Sequence, residues 1–136
     1  EKLIGRGRLI DARSVSVVSA DLLGKSGAQK DDIVLVMTGF SKKYRESEYY
    51  KKFPEIGEDF GCKAIELGVK LVGMDTPSPD RPPFKVHKLL LGKEILIIEN
   101  LTNLESLVGV KNFEVFALPV KFHTEAAPVR VIAKIQ

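Results

Sequence analysis

His87 and Glu99 lie 12 residues apart, one in a short helical stretch and the other closing the apolar run Ile95-Leu96-Ile97-Ile98. A histidine on a helix beside an emerging strand can bring an imidazole nitrogen and a carboxylate oxygen onto one divalent cation. The same histidine also admits a plainer reading, in which it caps its own helix. Asp75 closes a second apolar run, Val69-Lys70-Leu71-Val72-Gly73-Met74. A carboxylate at the rim of a buried strand needs hydrogen-bond donors or a metal. Alternatively, Asp75 organises the turn at Thr76-Pro77 through its side chain. His123 follows Phe122 near a chain turn and reads as a structural or solvent-facing histidine. Gly5-Arg6-Gly7 lacks the later glycine and the helix of a dinucleotide loop, and no Gly-x-Ser-x-Gly elbow occurs. A single cysteine, Cys62, excludes an internal disulfide and a multi-cysteine zinc site. Its helical context reads as a small packed hydrophobe.

The elements that would carry these residues alternate between strand and helix. Gly7 to Ala12 reads as a short extended run, and Ser19 as the cap of a helix through Leu23, ended by Gly24 or Gly27. Ile33-Val34-Leu35-Val36-Met37 is a continuous β-prone run of the kind buried on both faces, closed by Thr38-Gly39. Ile56, Phe60, Ala64 and Leu67 fall at helical spacing, with Gly68 placed for a left-handed cap. Pro77, Pro79, Pro82 and Pro83 enforce an irregular loop. Val86 to Leu91 then forms a short helix that stops at Gly92, ahead of the buried strand Ile95–Ile98. Thr102-Asn103-Leu104-Glu105 has capping-box spacing for another short helix. Phe113 to Val120 and Val129 to Ile135 supply two last strands. The pattern predicts an α/β domain around a mostly buried sheet.

Composition narrows the function classes. The 136 residues are one domain's worth, and 44% hydrophobic with 29% charged content excludes a disordered tail. No apolar run approaches the length of a spanning helix, so no membrane partner is expected. A net charge of +3 is too mild to imply nucleic acid. Residues 41–55 do interleave Lys42, Lys43, Arg45, Lys51 and Lys52 with Tyr44, Tyr49 and Tyr50. Glu46, Glu48 and Glu55 dilute that field, which favours a solvated excursion whose tyrosines pack on the body over an RNA or DNA patch. The lone cysteine fits a reducing compartment, and a cytoplasmic location is expected.

Read together, the motifs acquire a family. The succession Leu71-Val72-Gly73-Met74-Asp75-Thr76-Pro77-Ser78-Pro79-Asp80, then His87 with Leu89-Leu90, then Ile98-Glu99-Asn100-Leu101-Thr102-Asn103-Leu104, resembles the cyclase-like family of metal-dependent hydrolases. Bacterial kynurenine formamidases are its best-known members. Asp32-Ile33-Val34-Leu35 with Thr38-Gly39, and Ala117 to Lys121 with Pro128-Val129-Arg130, extend the match in register over nearly the whole chain.

The resemblance implies an α/β fold, a swivelling β/β/α domain with a mixed buried sheet and short helices. Residues 1–136 are expected to form a single such domain, incomplete at its N-terminus. It further implies a homodimer or higher homo-oligomer and a divalent metal, zinc first and manganese as the alternative. His87 and Glu99 match the positions at which the family holds one metal. Asp75 and Asn103 are expected behind the ligands or ordering loops. The implied chemistry is hydrolysis of an amide, a formamide of the N-formylkynurenine kind or a cyclic imide-like C–N bond, as in tryptophan catabolism. Metal-activated water would attack while a nearby histidine relays the proton. The family's principal ligand motif, His-x-Gly-Thr-His-x-Asp-x-Pro-x-His, does not occur in this sequence. It is expected ahead of Glu1, together with the catalytic groups, so these 136 residues alone are expected to be inactive. Ala127 replaces a frequent serine, and His123-Thr124-Glu125 replaces a glycine-rich stretch, which leaves the substrate open. The rival reading is a non-catalytic binding or scaffold domain that keeps the fold without the full metal site.

Overall fold

Five consecutive buried residues, Ile33–Met37, demand cover on both sides of their strand, and the fold is arranged around that demand. The structure is a computed structural model that describes residues 2–136. In chain order the elements are β1 (Ile4–Asp11), β2 (Val17–Val18), α1 (Ala20–Lys25), β3 (Ile33–Met37), β4 (Glu55–Ile56), α2 (Glu58–Leu67), β5 (Leu71–Met74), α3 (Lys85–Leu91), β6 (Leu96–Ile98), β7 (Phe113–Pro119) and β8 (Val129–Ile135). Two 3-10 turns, Phe40–Lys43 and Leu104–Leu107, complete them. Six strands form one sheet in the order β6-β5-β3-β1-β7-β8, and β2 pairs with β4 in a separate two-stranded piece. β1, β3, β5 and β6 run parallel, while β7 is antiparallel to β1 and β8 to β7.

Because the parallel strands are added in one direction, right-handed crossovers put all three helices on one face. There Val34, Val36, Val72 and Met74 pack with Leu23 of α1, Phe60 and Ala64 of α2, and Val86 and Leu90 of α3. The alternate side chains, Ile33, Leu35, Met37 and Leu71, face a second core made by Leu101, Leu104 and Leu107 with Phe113, Val115 and Ala117 of β7. The expected mixed α/β sheet with short helices is the architecture found.

Several local expectations change. Ser19 precedes α1 without a side-chain cap bond, and the Ala20 N–H instead donates to Asp59 Oδ2 at 2.8 Å. A carboxylate from the start of α2 therefore does the capping, which ties the two helices together. Gly24 lies inside α1 and does not end it. The capping box at residues 102–105 does not form; Asn103 adopts φ 59 and leads into a 3-10 turn without a side-chain cap. The requirement that wins there is burial of Leu104 and Leu107 against the sheet. Cys62 is exposed, not packed. The buried stripe of α2 is Phe60, Gly61 and Ala64, and a position two residues after Phe60 lies round the helix from that stripe. Gly68 closes α2 in the left-handed conformation (φ 71), as its position implied. β6 is an edge strand, with Leu96 and Ile97 only half-buried. Among the described residues no helix is long and apolar enough to cross a membrane.

Candidate metal centre

The sequence features with chemical potential converge on the carboxyl ends of the parallel strands, where the connecting loops of α/β sheets gather sites. β3 runs into Thr38, β5 into Asp75, and β6 into Glu99. The strip after β6 is sewn to the end of β5. Leu101 N–H donates to the Met74 carbonyl and Asn100 N–H to the Thr76 carbonyl, both at 2.9 Å. These bonds fix the backbone on either side of the rim and thereby aim Glu99.

Asp75 is 1% exposed and lies between two loops. Its Oδ1 accepts from Thr38 N–H at 2.8 Å and from the Thr38 hydroxyl at 2.6 Å, and its Oδ2 accepts from Gly39 N–H at 2.7 Å. Three donors satisfy this carboxylate without a cation. Asp75 therefore orders the loop after β3 across the sheet, and not the Thr76-Pro77 turn beside it. Asn103 is exposed, and its backbone carbonyl, accepting from the Ser106 hydroxyl at 2.8 Å, helps hold the following 3-10 turn.

His87 and Glu99 come together. The imidazole Nε2 stands 3.3 Å from Glu99 Oε1. The first turn of α3 carries His87, and the loop before it pins the other edge of the ring: Asp80 Oδ1 is 2.6 Å from Nδ1. Asp80 Oδ2 accepts from Val86 N–H at 2.7 Å, so one carboxylate serves both the helix start and the histidine. Asp80 itself is held from both sides, because Ile56 N–H donates to the Pro79 carbonyl and the Ser78 hydroxyl to the Asp80 carbonyl, each at 2.7 Å. Arg81 is clamped to Glu55 through Nε at 2.9 Å and through its backbone N–H at 3.0 Å. Phe84 sits edge-on to the imidazole with ring centroids 5.5 Å apart. It does so from a left-handed backbone (φ 58), an uncommon conformation for a bulky residue.

A further group borders the site. Tyr49, 1% exposed, stacks on Phe40 and donates its hydroxyl proton to Asn100 Oδ1 at 2.8 Å. Burial, then the neighbouring Tyr50 and the charge of Asp75, push its phenol up to about 12, so it stays a donor. Of the tyrosines in residues 41–55, Tyr49 packs on the body, whereas Tyr44 and Tyr50 touch its ring from exposed positions. Burial likewise pushes the Glu99 carboxyl above its ordinary value; His87 pulls it down, and Asp80 pushes it up. His123 is exposed in the turn between β7 and β8, away from these groups in the chain.

Asp80, Tyr49 and Asn100 were not among the candidates drawn from the sequence. Asp80 was legible in principle, as an acceptor residue placed just ahead of a predicted helix. Tyr49 was read only as one of the tyrosines packing on the body; its contact with Asn100 spans 51 positions, so nothing local marked it for the site.

The pair fits part of a metal's shell. Two ligands about 2.0–2.1 Å from a tetrahedral zinc stand roughly 3.3–3.4 Å apart, which is the spacing of Nε2 and Oε1. One imidazole nitrogen and one carboxylate oxygen suit zinc and manganese alike. The fit is partial: among the described residues, no group of three or more His, Cys, Asp or Glu side chains is placed to hold a metal. Beside Glu99 opens a cleft of about 660 Å³, lined by Leu101 and Leu104 with Val129 and Val131 of β8, and by polar groups that include Thr102, Ser106 and Arg130. A second hollow of about 550 Å³, between Arg8 and residues 107–113, contains none of these groups.

Residues 1–81 match the sequence model of the Cyclase family, well over half of the chain, and the matched part ends before His87. An uncharacterized protein of Methanocaldococcus jannaschii is 42% identical over 118 residues, covering 85% of this chain and 61% of that protein. The kynurenine formamidase of Bordetella avium is 38% identical over 72 residues, covering 50% of this chain and 34% of the enzyme. The chain thus spans 61% of the length of the first of these relatives and about a third of the second. Among solved structures, a potential metal-dependent hydrolase with cyclase activity superposes with a TM-score of 0.81 at 26% identity, over 99% of this chain and 67% of that one. An isatin hydrolase bound to thioisatinate shares the fold, with a TM-score of 0.87 at 20% identity over 98% of this chain and 61% of the enzyme. With the sheet order and these likenesses in agreement, the chain belongs to the cyclase-like family of metal-dependent hydrolases.

Proposed function

We propose that the protein containing this chain hydrolyses the C–N bond of a small amide, formamide or cyclic imide with the help of a divalent cation held in part by His87 and Glu99. The observation that carries the reading is the 3.3 Å separation of His87 Nε2 and Glu99 Oε1 at the carboxyl ends of the sheet. Zinc is the first choice and manganese the second, since both accept a mixed nitrogen and oxygen donor set. When bound, the cation supplies Lewis acidity, which makes water a nucleophile near neutral pH and polarises the scissile carbonyl.

The remaining work falls to the chain. Glu99, half-buried and raised by desolvation, presents its carboxylate from a backbone fixed to β5. Tyr49 holds Asn100 beside it through the 2.8 Å hydroxyl bond. The cleft next to Glu99 is within the common size range for small-molecule sites, and its leucine and valine walls suit the apolar part of an arylamide. Further metal donors and the proton-relaying group are assigned to the rest of the protein. By the same reading the protein is a cytoplasmic homo-oligomer.

The shortfall in donors favours a second reading, a scaffold domain that retains the fold without turnover. Metal analysis of the full-length protein separates the two. Stoichiometric zinc or manganese that is lost in both His87→Ala and Glu99→Ala supports the metal centre. Unchanged metal content in both variants removes His87 and Glu99 from it, and a metal-free protein that folds normally supports the scaffold.

A further inference from the structure

We propose that Asp80 is a positioning residue for the metal, holding His87 in the tautomer that points the Nε2 lone pair at the cation; this rests on the reading of His87 and Glu99 as ligands. The Asp80 side chain is 8% exposed, and its two oxygens are spent on two neighbours in α3. Oδ2 takes the Val86 N–H at 2.7 Å. That donor belongs to the first turn of a helix whose flanking residue, Phe84, provides no side-chain cap. Oδ1 takes Nδ1 of the next residue, His87, at 2.6 Å.

A carboxylate offers only acceptors, so this contact places the ring proton on Nδ1. In a neutral imidazole the other nitrogen is then an unprotonated acceptor. Nε2 faces Glu99 Oε1 at 3.3 Å, which sets one lone pair against another. Such a pairing is repulsive until a proton or a metal cation lies between the two atoms; with a proton there, His87 lowers the Glu99 carboxyl. Asp80 thus supplies the ring orientation and an acceptor behind the ring that fixes which nitrogen carries the proton. The loop is built to keep it there. Pro79 is tied to Ile56 and Arg81 to Glu55 on either side of it, so Asp80 cannot swing away without breaking contacts to β4.

The test uses the full-length protein, stripped of metal and compared with Asp80→Asn and His87→Ala. Two readouts separate positioning from simple helix capping. The first is the His87 ring in a ¹⁵N–¹H correlation spectrum at a pH where imidazole is neutral; wild type is expected to carry its proton on Nδ1. The second is zinc affinity by competition with a chromophoric chelator. In Asp80→Asn the amide keeps one acceptor for Val86 and turns its NH₂ toward Nδ1. Zinc binding is expected to fall by about 10–100-fold, with the ring proton moving to Nε2. Wild-type protein with the proton on Nε2 and Nδ1 bare overturns the proposal whether or not the variant folds. So does an Asp80→Asn variant that binds zinc as tightly as wild type. His87→Ala distinguishes the two levels: zinc retained there refutes the ligand assignment itself, whereas zinc lost there but kept in Asp80→Asn refutes only the role of Asp80.

Discussion

Asp75 and Glu99 are carboxylates at the ends of adjacent strands, and their surroundings treat them differently. Asp75 receives two backbone N–H groups and a hydroxyl, so burial costs it little. Glu99 is half-buried beside a histidine nitrogen, and desolvation raises its carboxyl above the ordinary value of 4.5. A carboxyl raised in the folded state contributes stability at pH values below its unfolded value, and that contribution is lost as the pH rises through the folded value. Ionised Glu99 is therefore a mild burden on the metal-free fold near neutral pH. Glu99→Gln is expected to melt above wild type at pH 7 in chelator, with the difference vanishing below about pH 4. About a third of the Glu99 side chain is exposed, so solvent screening keeps the gain small. A variant that melts lower at pH 7 in chelator would contradict this account.

The elements place these residues through close backbone contacts as much as through side-chain pattern. β7 lies antiparallel against β1, and Phe113 covers β1 at Gly7; a Cβ there would clash with the edge of the phenyl ring. The glycine makes room for the aromatic that anchors the second core under Leu104 and Leu107. Gly73 does the same on β5, where a Cβ would stand 2.8 Å from Leu101 and 2.9 Å from Leu35. Leu101 is two residues beyond Glu99, so Gly73 lets the strip carrying the ligand settle onto the sheet. Gly7→Ala is expected to destabilise the fold by about 1–3 kcal/mol through overpacking, read from urea denaturation. Unchanged stability would show that Phe113 can move aside freely.

Over the whole molecule, a cation at His87 and Glu99 would join α3 to the end of β6, two elements adjoining across a short turn. Binding to the folded state alone stabilises by mass action, about 2.7 kcal/mol at a hundred times Kd. Zinc is thus expected to raise the thermal midpoint of wild type and to leave His87→Ala unmoved, as followed by circular dichroism. An equal rise in both proteins would place the bound zinc elsewhere. The sheet topology explains why the ligands meet here: parallel strands added in one direction bring successive loops to the same end, so Thr38, Asp75 and Glu99 become neighbours.

By itself the sequence marked the six strands of the main sheet, the helices with strong periodicity and the candidate ligand pair, but not the small β2–β4 piece, where Ile56 pairs with Val18 instead of belonging to α2. Unbroken β-prone runs such as Ile33–Met37 have few alternatives, Gly68 marks a cap by its backbone freedom, and His87 and Glu99 are chemically conspicuous at two strand-proximal positions. Only the tertiary structure decided how the polar groups are paired. Ser19 lost its cap to Asp59, Asp75 turned to Thr38 and Gly39, Cys62 went to the surface, and Asp80 and Tyr49 joined the site unannounced. Local spacing encodes which residues share a helix face or a strand. A hydrogen bond between Tyr49 and Asn100, or between Ala20 and Asp59, depends on the packing of whole elements, and no local pattern records that.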